Sequence, residues 1–205
     1  MRFECDVVKA RFARHLILAS TSERRRRLME EAGYDFETAA PGLGEDHLHP
    51  QDPRLLAESL AYAKARVVAD RLERGLVVGA DTIVALDREV LGKPADEREA
   101  REILSRLSGS THEVITGLCV LNVRRGERLI GADVTRVTMK RLTAKELDDY
   151  VASGEGLGKA GAYALQETGD RFVARLDGSF TNVVGLPMPL LADFLDVMGK
   201  LVYKE

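Results

Sequence analysis

Short apolar runs suited to β-strands alternate along the chain with segments in which apolar residues recur at helical spacing. The run HLILAS (15–20) predicts a buried strand, and the helix that follows it ends at Gly33. A longer helix is predicted over 53–74, where apolar residues recur near helical spacing. The next apolar run predicts another buried strand, although Asp81 interrupts its centre. Strand and helix therefore alternate through the first half of the chain.

The second half predicts a long β-hairpin between helices. A helix is expected over 95–109, and the β-branched runs 112–123 and 128–140 then form the two strands of the hairpin. A helix opened by the capping box Thr143/Glu146 follows, and then a glycine-rich loop, a strand and a last helix. Because a hairpin is antiparallel, the sheet cannot be purely parallel. The predicted class is α/β with a mixed sheet.

Length and composition are those of an ordinary globular protein. The 205 residues suit one large domain or two small lobes, and we expect a single domain over 1–205 with a short polar lead-in over 1–14. No apolar stretch approaches the roughly 18 to 20 residues that a membrane helix needs. The N-terminal residues also lack the continuous apolar core of a signal peptide. We therefore expect a cytoplasmic protein with no membrane partner.

Charge, cysteine and histidine content argue against three kinds of protein. The net charge of −3 disfavours a nucleic-acid binder. Cys5 and Cys119 have neither metal-binding nor redox spacing, so we expect reduced thiols. His47 and His49 form an H-x-H pair, but the nearby cysteine or histidine ligands that a zinc site needs are missing.

Four consecutive arginines, Arg24 to Arg27, occupy the first turn of the first predicted helix. Cations are disfavoured there by about 0.3 to 1 kcal/mol each, because the helix dipole already places partial positive charge at that end. A bound phosphate would explain them, since free N–H groups, the hydroxyls of Ser20 and Ser22 and the guanidinium groups would all point at it. A solvated basic face is the alternative interpretation, and it stays open at this point.

Other polar positions have both a functional and a structural interpretation. A buried, unpaired carboxylate costs roughly several kcal/mol, so Asp81 should be paired, metal-bound or exposed at a strand end. The loop GKAGAY (158–163) would let its backbone approach a ligand closely and Lys159 would add a point charge for phosphate, although such turns are common without a ligand. His112 can equally be a histidine of an edge strand with its hydrogen bonds made. Asn182 stands next to apolar residues in the sequence.

Six motifs, in order from about residue 15 to about residue 190, resemble those of the Maf family of nucleoside triphosphate pyrophosphatases. They are LASTSERR (18–25), ADT (80–82), LGKP (91–94), SGSTHEVITG (108–117), KAGAYALQ (159–166) and GSFTNVVGLPM (178–188). The chain departs from the family pattern at three positions, with Glu23 in place of proline, Gly158 in place of aspartate and Glu167 in place of glycine. A carboxylate close to phosphates at position 23 or 167 would weaken binding.

The resemblance implies a fold and a reaction. The fold would be an elongated, two-lobed α/β structure around a long mixed sheet, similar to inosine triphosphate pyrophosphatases, with the cleft between the lobes. The reaction would be hydrolysis between the α and β phosphates with a divalent cation, Mg²⁺ or Mn²⁺. Asp81, at a strand end, would be the general base and a metal ligand, and Glu45 is a weaker candidate for a second metal carboxylate.

The resemblance also implies which residues bind the nucleoside triphosphate. The implied substrate-binding residues are Ser20, Ser22, Arg24, Arg25, Lys64, Thr82, Lys93, Lys159 and Gln166. Arg24, Thr82 and Gln166 match the subgroup that acts on dTTP and UTP, whereas the 7-methyl-GTP subgroup tends to carry tryptophan, glutamine and glutamate. A glutamine amide both donates and accepts, which suits the O4/N3–H edge of uracil or thymine.

Other functions stay open from the sequence. The family is associated with septum formation, so one alternative is a nucleotide-binding regulator with little or no turnover, and another is a 7-methyl-GTP pyrophosphatase. An RNA-binding function is disfavoured by the net charge and by the lack of aromatic residues near the arginines. A homodimer also stays open.

Overall fold

A seven-stranded mixed sheet forms the centre of the fold in the computed structural model, which describes residues 16–43, 52–165 and 168–202. The strands are β1 (Leu16–Ala19), β2 (Glu37–Thr38), β3 (Leu76–Leu86), β4 (Glu89–Leu91), β5 (Thr111–Asn122), β6 (Arg128–Met139) and β7 (Val173–Asp177). They lie in the order β2-β1-β3-β5-β6-β7, and β4 pairs with β3. β1 is parallel to β2 and β3, and the other pairs are antiparallel. The predicted mixed sheet and the hairpin of β5 and β6 are confirmed.

Six α-helices in the described part of the chain connect and cover these strands. They are α1 (Glu23–Glu31), α2 (Pro53–Ala69), α3 (Glu97–Leu107), α4 (Ala144–Ala152), α5 (Phe180–Val184) and α6 (Met188–Val202). Ser22 caps α1 by accepting from the Arg25 N–H, and the predicted capping box of Thr143 and Glu146 opens α4. The short helix α5 was not predicted, because proline and glycine residues surround it. Among the described helices, none is long and apolar enough to cross a membrane.

Two apolar clusters lie on one face of the sheet and are separated by threonines. On β3, Ala80 belongs to a cluster formed with α1 and α6, and Val84 belongs to a cluster formed with α3 and α4. Thr82 stands between them on the same face, because side chains two residues apart on a strand point the same way. Thr116, its partner on β5, occupies the equivalent position. This division into two clusters agrees with the expected two-lobed arrangement.

Two glycines let α2 lie directly against the other face of the sheet. A Cβ atom added at Gly79 would stand 2.2 Å from the Ala61 carbonyl oxygen, and one at Gly117 would stand 2.1 Å from that of Ala57. A side chain at either position would therefore push the helix away from the sheet. The close approach brings Lys64, on α2, next to β3.

Candidate active site

The free edge of β3 defines where the site lies. β1 ends at Ala19, opposite Gly79, and β4 begins to pair with β3 only at Val84. Among the described strands, none covers this edge of β3 over 80–83. Asp81 lies in this gap, in the middle of β3, so the prediction that it stands at a strand end is wrong. β3 continues past Asp81 because β5 pairs with it along nearly its whole length.

A cavity of about 550 Å³ opens at this gap. It reaches both faces of the sheet at this free edge, since Asp81 and Thr82 are consecutive strand residues that point to opposite faces. The predicted site residues that line it are Ser20, Ser22, Arg24, Arg25, Lys64, Asp81, Thr82, Lys93 and Lys159. Two others, Glu45 and Gln166, lie outside the described residues, as does Glu167. The start of α1, the centre of β3 and the glycine-rich loop therefore meet at one cavity.

The cavity is strongly cationic. Its described lining contains five cationic side chains, those of Arg24, Arg25, Lys64, Lys93 and Lys159. Asp81 is the single carboxylate among the described lining residues. Such a surplus of positive charge in a concave site attracts an anion that carries several charges, such as a chain of phosphates.

The run of four arginines divides into two pairs. Arg24 and Arg25 line the cavity, whereas Arg26 and Arg27 are directed to Glu23. Their Nε atoms lie 2.9 and 3.0 Å from the Glu23 carboxylate, and these hydrogen bonds lower the pKa of that exposed group. The hypothesis that all four guanidinium groups point at one phosphate is therefore wrong for Arg26 and Arg27. Glu23, the departure from the family pattern, does not line the cavity.

Asp81 is paired with Lys64 inside the cavity. Their side chains form an ion pair and are only 10% and 13% exposed. The pair explains how a carboxylate can stand in an apolar strand, because a buried charge is stable when an opposite charge is in contact with it. The contact depends on the close approach of α2 to the sheet at Gly79 and Gly117.

Arg25 has well-defined contacts with several elements. Its Nε donates to the Gly185 carbonyl at 2.7 Å, and its Nη2 donates to the Thr82 hydroxyl at 3.0 Å. Its Nη1 lies 3.4 Å from Ser20 Oγ. Thr82 in turn contacts the hydroxyl of Thr116 at 3.0 Å. The sequence interpretation missed Thr116, although a polar residue in the buried run of β5 is a signal that it has a specific partner.

The glycine-rich loop is shaped by left-handed backbone positions. Gly161 has a φ of +72°, and an added Cβ there would stand 2.9 Å from Val84 Cγ2. Its N–H donates to the Gly92 carbonyl at 3.2 Å, which ties the loop to the segment that carries Lys93. Gly158 also has a positive φ of +69°, a conformation that glycine adopts without strain. Glycine at position 158, where the family pattern has aspartate, is therefore compatible with this backbone conformation.

A buried histidine, His112, contacts this loop through Tyr163. His112 Nε2 lies 2.8 Å from the hydroxyl of Tyr163, which lines the cavity, and both residues are buried. His112 is on β5, which pairs with β3 and β6 on its two sides, so the interpretation as an edge-strand histidine is wrong. Its Nδ1 is buried without a hydrogen-bond partner among the described residues. Burial lowers the pKa of His112 to about 4, so the imidazole is neutral at pH 7.

We expect His112 to make folding stability depend on pH. Because its folded-state pKa of about 4 lies below the ordinary value of about 6.5, the unfolded chain takes up a proton that the folded chain does not. This stability is present above pH 6.5 and is lost as the pH falls toward 4, by about 2 kcal/mol between pH 7 and pH 5. Urea unfolding at the two pH values measures it. The His112→Gln variant should lose less folding stability between pH 7 and pH 5 than the wild type does. Equal losses of stability would contradict a buried neutral imidazole.

These features define an α/β protein with a cationic cleft, built around one paired carboxylate and suited to a phosphorylated ligand. The model of the Maf-like protein family matches residues 15–198, and the chain therefore belongs to the Maf-like family.

Several relatives match over most of their length. The chain is 41% identical over 192 residues to a dTTP/UTP pyrophosphatase of Ruminiclostridium cellulolyticum, covering 93% of this chain and 100% of the relative. It is 44% identical over 186 residues to the dTTP/UTP pyrophosphatase of Pelotomaculum thermopropionicum, covering 91% and 97%. It is 43% identical over 184 residues to that of Symbiobacterium thermophilum, covering 90% and 94%.

Proposed function

We propose that this protein is a nucleoside triphosphate pyrophosphatase that hydrolyses dTTP and UTP to the nucleoside monophosphate and pyrophosphate. The observation that carries the proposal is the single buried carboxylate, Asp81, in a cavity whose described lining is otherwise charged only by five cations. The relatives named above carry this activity in their names. A cytoplasmic location, where these nucleotides are available, belongs to the same proposal.

In the proposed reaction Asp81 activates the attacking water, and the cationic side chains stabilise the charge on the phosphates. Asp81 orients a water molecule and takes its proton as the water oxygen bonds to the α-phosphorus. The bond from the α-phosphorus to the bridging oxygen breaks, and pyrophosphate leaves with that oxygen. Negative charge grows on the leaving group, and Lys93, Lys159 and Arg25 are placed around the cavity to stabilise it. Lys64 holds the Asp81 carboxylate in place until substrate arrives.

The cavity also fits a divalent cation, which we propose as the cofactor. Mg²⁺ and Mn²⁺ prefer oxygen ligands, and Mg²⁺ typically takes one or two carboxylates together with substrate phosphate oxygens and water. Asp81 supplies one such carboxylate, and no group of three or more acidic, histidine or cysteine side chains suited to a metal exists among the described residues. The remaining ligands would come from the substrate and from water. The bound cation would neutralise phosphate charge and lower the barrier to attack.

We assign the preference for a pyrimidine base to Gln166, which lies outside the described residues, together with Arg24, which lines the cavity. The glutamine amide can accept from N3–H and donate to O4 of thymine or uracil. A mismatched base would leave buried polar groups unpaired, and such groups discriminate strongly.

We expect the purified protein to release pyrophosphate from dTTP and UTP well ahead of purine nucleoside triphosphates. Gln166→Glu should erode that preference, because a carboxylate only accepts hydrogen bonds. A coupled pyrophosphate assay with a panel of nucleotides, including 7-methyl-GTP, measures both effects. Equal or faster turnover of 7-methyl-GTP by the wild type would overturn the pyrimidine preference and leave the reaction type standing. Tight nucleotide binding without turnover would favour a regulator instead.

A further inference from the structure

A chain of hydrogen bonds leads from Arg25 into the interior of the sheet. Arg25 Nη2 donates to Thr82 Oγ1 at 3.0 Å, the hydroxyls of Thr82 and Thr116 are 3.0 Å apart, and Thr116 donates to the Asn182 carbonyl at 2.9 Å. Thr116 and Asn182 are completely buried. The chain therefore joins α1, β3, β5 and α5 through polar groups in the gap between the two apolar clusters.

The direction of each hydrogen bond in this chain is determined. A hydroxyl carries one proton, and Thr116 gives its proton to the carbonyl of Asn182. Thr116 must therefore accept from Thr82, which in turn accepts from Arg25. Thr82 has no second proton to give to the cavity. Since phosphate oxygens need donors, Thr82 is not suited to bind them.

A second contact holds the same edge of the Arg25 guanidinium. Its Nε donates to the Gly185 carbonyl at 2.7 Å, next to the bond that Nη2 makes with Thr82. Gly185 has a φ of +125°, and an added Cβ there would stand 3.4 Å from Thr82 Oγ1 and 3.5 Å from Arg25 Nε. The planar group is thus held along its Nε–Nη2 edge, which fixes its orientation in the cavity wall.

We propose that Thr82 and Thr116 are positioning residues that orient Arg25 for phosphate binding, and that Thr82, whose one proton goes to Thr116, donates no hydrogen bond to the substrate. This inference rests on the proposed function, because it assigns the phosphates of the substrate to Arg25. A substitution of Thr82 should then change the binding of all nucleoside triphosphates alike, because it acts through the phosphates that they share. Base preference is left to residues elsewhere in the cavity.

The test is a mutant cycle around Thr116. Thr116→Val removes the hydroxyl and keeps the shape, and we expect KM to rise on the order of tenfold, by the same factor for dTTP, UTP and a purine triphosphate. Thr116→Ser should restore the wild-type KM. In an Arg25→Ala background, Thr116→Val should have no further effect on KM, whereas its effect on the thermal midpoint should persist.

Thr135→Val is the matched control. It removes another fully buried hydroxyl of the sheet, one that contacts Ser179 and the Asn182 side chain but is not bonded to Thr82. The inference is overturned if this control raises KM as much as Thr116→Val does, or if Thr116→Val acts equally with and without Arg25. A shift in base preference caused by Thr82→Val, and not by Thr116→Val, would also overturn it.

Failure of the proposed function gives a different result. A wild type without turnover refutes the enzyme, and the same cycle is then read from the Kd of a non-hydrolysable dTTP analogue. Loss of affinity in Thr116→Val that depends on Arg25 would still support the positioning role. A wild type that neither binds nor hydrolyses any nucleotide would contradict both.

Discussion

The Asp81→Asn variant is expected to lose about 10²- to 10⁴-fold in kcat, the range that general acid–base groups usually contribute. An asparagine keeps the shape of the side chain but cannot take a proton from water. It also removes the single carboxylate among the described lining residues, so five cations remain around the phosphates. We therefore expect the affinity for dTTP to be kept or increased. Single-turnover kinetics together with calorimetric binding would separate the two effects.

Asp133→Asn serves as the control for this substitution. Asp133 is on β6, outside the described lining of the cavity, and its carboxylate accepts from the Val134 N–H at 2.8 Å. The control should keep kcat and KM near the wild-type values. If Asp81→Asn turned over dTTP at a near wild-type rate, the assignment of Asp81 as the base would be wrong.

Local patterns predicted most of the elements but not the position of Asp81 along its strand. The hairpin of β5 and β6 and the capping box of α4 could be predicted, since they depend on residues close together in sequence. The gap at Asp81 depends instead on where β1 and β4 stop pairing with β3. The pairing of β1 with β3 joins segments that are distant in sequence, and the pairing of β3 with β4 is set by the turn between them. An apolar pattern within one strand does not contain that information.

The candidate site shows a similar division. The separation of Arg26 and Arg27 from the cavity could have been predicted, because Glu23 stands three and four residues before them, the spacing of helical ion pairs. The role of Thr116 could not, because its partners are 34 and 66 residues away in the chain. The motifs indicated which segments meet, and the structure was needed to show which side chain of each segment faces the cavity.

The Lys64→Met variant is expected to have the largest effect on stability. Removing the cation leaves the Asp81 carboxylate with 10% of its side chain exposed and without the lysine that pairs with it. Breaking a buried pair in this way costs more than the pair itself contributes, because an uncompensated charge stays in a poorly solvated site. We expect the free energy of unfolding to fall by about 3 kcal/mol, measured by urea denaturation at pH 7.

The double variant Lys64→Met/Asp81→Asn tests this explanation. It removes both charges, so it should recover part of the stability that Lys64→Met loses, although turnover stays low because the base is absent. Lys145→Met is the matched control, since it breaks an exposed lysine–aspartate pair with Asp149 and should leave stability nearly unchanged. A double variant no more stable than Lys64→Met would show that the cost comes from lost packing of the lysine side chain. In that case the Asp81 carboxylate would be stable without Lys64, and the role of Lys64 in holding it would be refuted.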